Sequence, residues 1–384
     1  MIPYGRQNIT QDDIDAVVDV LRSDFLTQGP RVPEFEKVVS DYVGAKFGVA
    51  ANSATSVLHV ACLALGLGPG DWLWTSPVTF VASANCGLYC GANVDFIDID
   101  PLTNNISIEV LERKLKKAEK TQQLPKVIVA VHLSGLPCDM RELHRLSLQY
   151  GFKIIEDASH AIGGSYDGKK IGSCQYSDIT VFSFHPVKIV TTAEGGMGMT
   201  NSSVLAEKMR LYCSHGITRN PELMTIEPEG SWYYQQVTLG FNYRMTDLQA
   251  ALGISQMTRI DHFVDQRHRL AIRYCSLLAS LPVSIPAKME NARSGLHLYI
   301  IRLQLDKITI SHREVFELLR DQGIGVNLHY IPVHLQPYYQ EIGFNYGDFP
   351  AAEQYYKEAL SLPMYPDLTE DQQDHIVDVL RSLL

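Results

Sequence analysis

Phe152-Lys-Ile-Ile-Glu-Asp157-Ala-Ser-His160 and Ile179-Thr-Val-Phe-Ser-Phe-His-Pro-Val-Lys188 decide the fold. Each is a short apolar run that ends in residues able to do chemistry: Asp157 and His160 after Phe152–Glu156, Lys188 after Ile179–Phe184. Upstream, Val94–Ile99 and Lys126–Val131 repeat the pattern, and helical stretches at 108–120 and 141–150 separate the runs. Strands this apolar at every position do not suit a sheet with one wet face. The alternation predicts an α/β fold with a mainly parallel sheet covered by helices on both faces. Open sheets of this kind bind ligands at the carboxyl ends of their strands, which puts Asp157 and Lys188 in one site.

Working outward, Thr10 and Asp13 form a capping box ahead of Ile14, Val17, Val18 and Leu21, so a helix is expected over 11–22. A second amphipathic stretch runs from Val32 to Tyr42. Asn52-Ser-Ala-Thr-Ser56 then caps a helix expected from Val57 to Leu65. Beyond residue 255 the character changes. A long helix from Leu248 to Leu281, a strand within Leu296–Leu305, and helices at 313–322 and 369–384 predict a smaller α+β C-terminal domain after a large domain of residues 1–254.

The 384 residues are 46% hydrophobic, 20% charged and 9% aromatic, the composition of a globular protein. A net charge of −10 repels nucleic acid and anionic membranes, so a small-molecule partner is expected. Seven cysteines without a CxxC pair give no disulfide or zinc framework, and His329 with His334 lacks a third ligand at a metal spacing. No apolar run approaches the ~20 residues of a membrane helix and no secretory pattern is visible, so the expected compartment is the cytoplasm.

Three cofactor chemistries compete for the strand-end site. Gly163, Gly168 and Lys169 match a P-loop, but Lys170 stands where the magnesium-binding hydroxyl belongs. No GxGxxG opens the first strand–helix unit, so a dinucleotide has no cradle; Asn52–Thr55 instead offers amide and hydroxyl donors suited to one phosphate monoester. Pyridoxal phosphate needs a lysine for a Schiff base, an acid for the pyridine nitrogen, an aromatic over the ring and a phosphate cradle. Lys188, Asp157, Phe80 and Asn52–Thr55 supply all four, and Ser183 adds a hydroxyl for the phosphate. Taken singly, a lysine is usually a solvated charge, Asp157 a helix cap and Phe80 core; the ordered set carries the reading.

The chain resembles the DegT/DnrJ/StrS sugar aminotransferases, of the fold-type I aspartate aminotransferase superfamily. The resemblance spans essentially the whole chain. It is carried by Leu26–Gly29, Asn52–Ser56, Glu156–Ala161, Ser183–Lys188, Glu194–Gly196 and Gly240–Met245. It implies that Lys188 is the Schiff-base lysine, Asp157 the pyridinium partner and His160 a neighbour of the ring. Ala54, Thr55 and Ser183 would hold the phosphate, and Asn242 would reach the phosphate in the other subunit of a homodimer with shared sites. Substrate contacts would come from Tyr4, Asp24, Phe25, Leu26, Thr27, Asn327, Leu328, His329 and Tyr330. The implied reaction moves the amine of L-glutamate to the 4-keto carbon of a UDP-sugar. Ser183–Lys188 together with Asn327–Pro332 look most like the pseudaminic acid branch, with bacillosamine- or legionaminic-type sugars and a non-catalytic regulator as alternatives.

Overall fold

The computed structural model describes residues 1–384. Its centre is a seven-stranded sheet: β1 (Phe47–Ala51), β2 (Trp72–Thr75), β3 (Asn93–Phe96), β4 (Val127–Val131), β5 (Lys153–Asp157), β6 (Ile179–Ser183) and β7 (Gly196–Thr200), in the order β1-β7-β6-β5-β4-β2-β3. The pairs from β3 through β6 are parallel, and only β7 runs against its neighbours. Five buried residues make up β4. Val127, Val129 and Val131 face one core while Ile128 and Ala130 face the other, which is why this strand reads as continuous apolar sequence rather than as alternation. The helices at Ile108–Thr121 and Met140–Tyr150 lie where periodicity puts them.

Differences from the expectations have local causes. The expected helix 248–281 is two, Asp247–Met257 and Ile260–Leu277, broken at Thr258-Arg259 although no glycine or proline marks the break. The helix expected from Val57 starts at Ala54, because Ser53 itself is the N-cap and accepts from the Ser56 N–H. Strands β2 and β7 escape sequence reading: Trp-Leu-Trp-Thr is very short, and Gly-Met-Gly-Met-Thr is dominated by poor strand formers. The first helix, Gln11–Leu21, forms with its capping box, but it docks through Asp13. That carboxylate is buried against Arg259, Ser255 and Gln256, while Ile14 and Leu21 stay exposed.

A second, three-stranded sheet joins Val283–Ser284, Tyr299–Leu303 and Ala359–Leu362 around its own apolar core. The N-terminal segment crosses to this part of the chain. Ile2 donates to Gly323 O and accepts from the Gly325 N–H, both at 2.7 Å, and Tyr4 O accepts from Met364 N–H at 2.9 Å. No helix is long and apolar enough to cross a membrane.

Candidate active site

The site is built at the carboxyl ends of β5 and β6. The chain leaves β6 at Ser183, turns through Phe184–Lys188 with the Lys188 N–H on His185 O, and returns at β7, where Gly196 lies opposite Ser183. This turn points Lys188 toward Asp157 and three histidines. Enclosure disfavours its charged form, and Asp157 offsets this only in part, so the ammonium pKa falls to about 8.

Asp157 is buried and accepts from the Ser83 hydroxyl at 2.6 Å on one oxygen and from the Ser159 hydroxyl at 2.6 Å on the other. Thr79 hydrogen-bonds Ser83 in turn, at 2.8 Å. His160 accepts the Ser134 N–H on Nδ1 at 3.2 Å, which leaves the ring proton on Nε2, bonded to Tyr330 Oη at 3.1 Å. Gly135 makes this possible: a Cβ there would lie 2.6 Å from His160 O and from Leu296 N. Burial, reinforced by the charge of Lys188, pushes the pKa of His160 and His297 well below the usual histidine range and that of His329 down to about 3. Three neutral imidazoles therefore surround one lysine.

Pyridoxal phosphate fits this arrangement only if an anion can approach the N-terminus of helix Ala54–Ala64. It can. A Cβ at Gly196 would lie 2.4 Å from Ala54 N and 2.6 Å from Ser53 C, so the glycine lets the helix end sit directly against the strand ends that carry Ser183. The N–H groups of Ala54 and Thr55 are not used by the chain itself. Two free N–H groups at a positive helix end, beside a serine, form a phosphate cradle of one-monoester size. Phe80, 57% exposed, lies 6.2 Å from the Tyr330 ring at the open side.

Asn327–Tyr330 and Tyr4 form the mouth. Asn327 pairs with Ser361 through the backbone and its side-chain oxygen accepts the Leu328 N–H. His329 hydrogen-bonds Ser361 at 2.8 Å, and its ring packs on Tyr4 at 5.2 Å. The Asp24–Thr27 segment is not tied to this cluster. All four residues are exposed, and the segment's backbone pairs with Thr246 and Asp247 instead. Asn242 is likewise exposed, on the rim beside Asn52.

Sequence reading missed Ser83, Thr79, Ser134 and His297, none of which sits in a motif; each becomes visible only when the strands bring it to Asp157 or His160. The P-loop match dissolves, since Asp167 and Gly168, both with positive φ, form the two-residue turn of a hairpin joining Ser165–Tyr166 to Lys169–Lys170. His334 turns away from His329 to bond Glu353.

A relative from Bacillus subtilis, the spore coat polysaccharide biosynthesis protein SpsC, is 38% identical over all of this chain and 97% of its own. A Campylobacter jejuni UDP-4-amino-4,6-dideoxy-N-acetyl-beta-L-altrosamine transaminase is 37% identical over all of this chain and 98% of its own. Helicobacter pylori PseC, an aminotransferase involved in the biosynthesis of pseudoaminic acid, superposes with a TM-score of 0.91 at 30% identity, covering 100% and 98% of the two chains. Residues 7–381 match the family model itself. The chain belongs to the DegT/DnrJ/EryC1/StrS aminotransferase family, and is a pyridoxal-phosphate-dependent sugar aminotransferase.

Proposed function

We propose that this enzyme moves the amino group of L-glutamate to C4 of UDP-2-acetamido-2,6-dideoxy-β-L-arabino-hex-4-ulose, giving UDP-4-amino-4,6-dideoxy-N-acetyl-β-L-altrosamine for pseudaminic acid synthesis. The observation that carries it is the end-to-end similarity to the Campylobacter jejuni transaminase, at 37% identity. The proposal includes a cytoplasmic homodimer with shared sites, in which Asn242 and Asp24–Thr27 complete the neighbour's site. Exposed Ile14, Leu21, Phe25 and Leu26 support such a covered face. It also includes a division of the chain into a large domain, 1–254, and a small one, 255–384.

Bound pyridoxal phosphate supplies an electron sink and an amine carrier. The chain's own residues do the rest. Ala54, Thr55 and Ser183 would hold the phosphate, Phe80 and His160 would lie beside the ring, and Asp157 would offer its carboxylate to the ring nitrogen. With His160, His297 and His329 neutral, Lys188 is the base that exchanges protons near neutrality, and a pKa of about 8 keeps both of its forms populated. Tyr4 and Asn327–Tyr330 position the sugar nucleotide.

The test incubates the holoenzyme with glutamate and, in parallel, the L-arabino and D-xylo forms of the UDP-4-keto sugar, with products identified by mass and NMR. Amination of the L-arabino form is expected. Preference for the D-xylo form would keep the chemistry and move it to another sugar. No amination of any keto sugar, with cofactor bound, would favour a regulator.

A further inference from the structure

A second cavity, of about 410 Å³, lies away from Lys188, between strand β2 and the helix Ile108–Thr121. Its size falls within the ~300–1,000 Å³ of small-molecule sites. Trp72 and Trp74 form one wall, on the same face of β2; the opposite wall is Arg113, Lys114 and Lys117, with Asp95 between. Three cations against two carboxylates, Asp95 and Glu109, leave the hollow net positive on a protein of net charge −10. Lys114 is taken up by Asp95 at 2.6 Å and lies over the Trp74 ring at 4.8 Å, and Arg113 leans on Glu109 at the helix surface. Lys117 has no carboxylate partner. Trp74 is only 2% exposed and Trp72 is half-buried, so the accessible aromatic face of the cavity belongs to Trp72.

We infer that this cavity is a binding site for a nucleoside phosphate, separate from the aminotransfer site. Arg113 and Lys117 meet the phosphate, the guanidinium by its bidentate fork. The partly buried Trp72 ring offers a stacking face to the base. Neither feature alone would distinguish a nucleotide from a simple anion or an apolar ring; together they select a ligand that carries both.

The chain has three tryptophans, and two of them line the cavity, so intrinsic fluorescence of a Trp232→Phe holoenzyme reports on it directly. Titration with adenosine 5′-monophosphate is expected to give a saturable change. Arg113→Glu with Lys117→Glu should weaken it at least about tenfold while aminotransfer in the absence of nucleotide is unchanged. Trp72→Leu, read by calorimetry, should weaken it less. Inorganic phosphate or adenosine alone should bind far more weakly. A flat titration, an affinity untouched by the double charge reversal, or equal binding of inorganic phosphate would overturn the inference. Circular dichroism of each variant separates loss of binding from loss of fold.

Discussion

Glu156 and Asp157 are consecutive carboxylates at the end of β5, both buried, and they point to opposite faces of the sheet. Glu156 is closed in by the chain: His132 Nε2 lies 2.8 Å away, and the Ser177 and Thr180 hydroxyls bond its other oxygen. The His132 Nδ1 accepts the Cys138 N–H, so the ring proton sits between His132 and Glu156. Asp157 is held only by small hydroxyls and a backbone N–H, and it shares its side of the sheet with Lys188. Equal charge and equal burial have opposite uses. A carboxylate whose partners are all internal holds the fold, and one left facing the Lys188 amine is available to a ligand.

The contrast can be broken most severely at the amine itself. Lys188→Ala is expected to lower aminotransfer by at least ~10⁴-fold, measured in single turnover with glutamate, with the fold intact by circular dichroism. Asp157→Asn should come next, lowering kcat by roughly 10²–10³ with an almost unchanged unfolding midpoint. His132→Leu should do the reverse. Stranding Glu156 is expected to reduce stability by about 3–5 kcal/mol in urea titration, while kcat per folded molecule stays within about twofold. If Asp157→Asn unfolds the protein, or His132→Leu silences it while folded, the two faces are not separated as described. Tyr330→Phe removes one neutral hydrogen bond to His160 and should cost about 1 kcal/mol, seen as about a fivefold drop in kcat/KM.

The smallest effect concerns pH. Lys188 has a folded pKa of about 8, below its unfolded value of ~10.4, so between those values the unfolded chain binds more protons and stability rises with pH. Below pH 8 the full penalty of enclosing the ammonium remains. Lys188→Met should therefore melt higher than the wild-type apoprotein at pH 7, with the gap closing toward pH 10. A gap independent of pH would show that the amine is not enclosed in solution.

Much of this was legible in the sequence because the core strands are apolar on both faces and end abruptly in polar residues. Lys126–Val131 and Ile179–Phe184 could be placed within a residue or two for that reason. The break at Thr258-Arg259 was not legible, since both residues are compatible with helix and the turn there is set by packing. The same holds at the site. Lys188, Asp157 and Ser53–Thr55 announce themselves by position at element ends. Ser83 and His297 are ordinary residues in unremarkable segments, and only the strand order β5-β4-β2 and the return of the small sheet bring them near Asp157 and His160. The first helix misled in a different way, because an apolar stripe signals burial without saying whether the chain's own core or another surface does the burying.

The N-terminal crossing has a consequence for biosynthesis. Ile2 and Tyr4 leave the ribosome first, but Gly323, Gly325 and Met364, to which they bond, are made more than three hundred residues later. Domains generally fold from the N-terminus as they emerge, yet this segment must wait with its donors and acceptors on water until translation is nearly done. The mouth of the site is therefore assembled after its floor: a nascent chain can form the parallel sheet and the Lys188 turn long before it can position Tyr4 against His329.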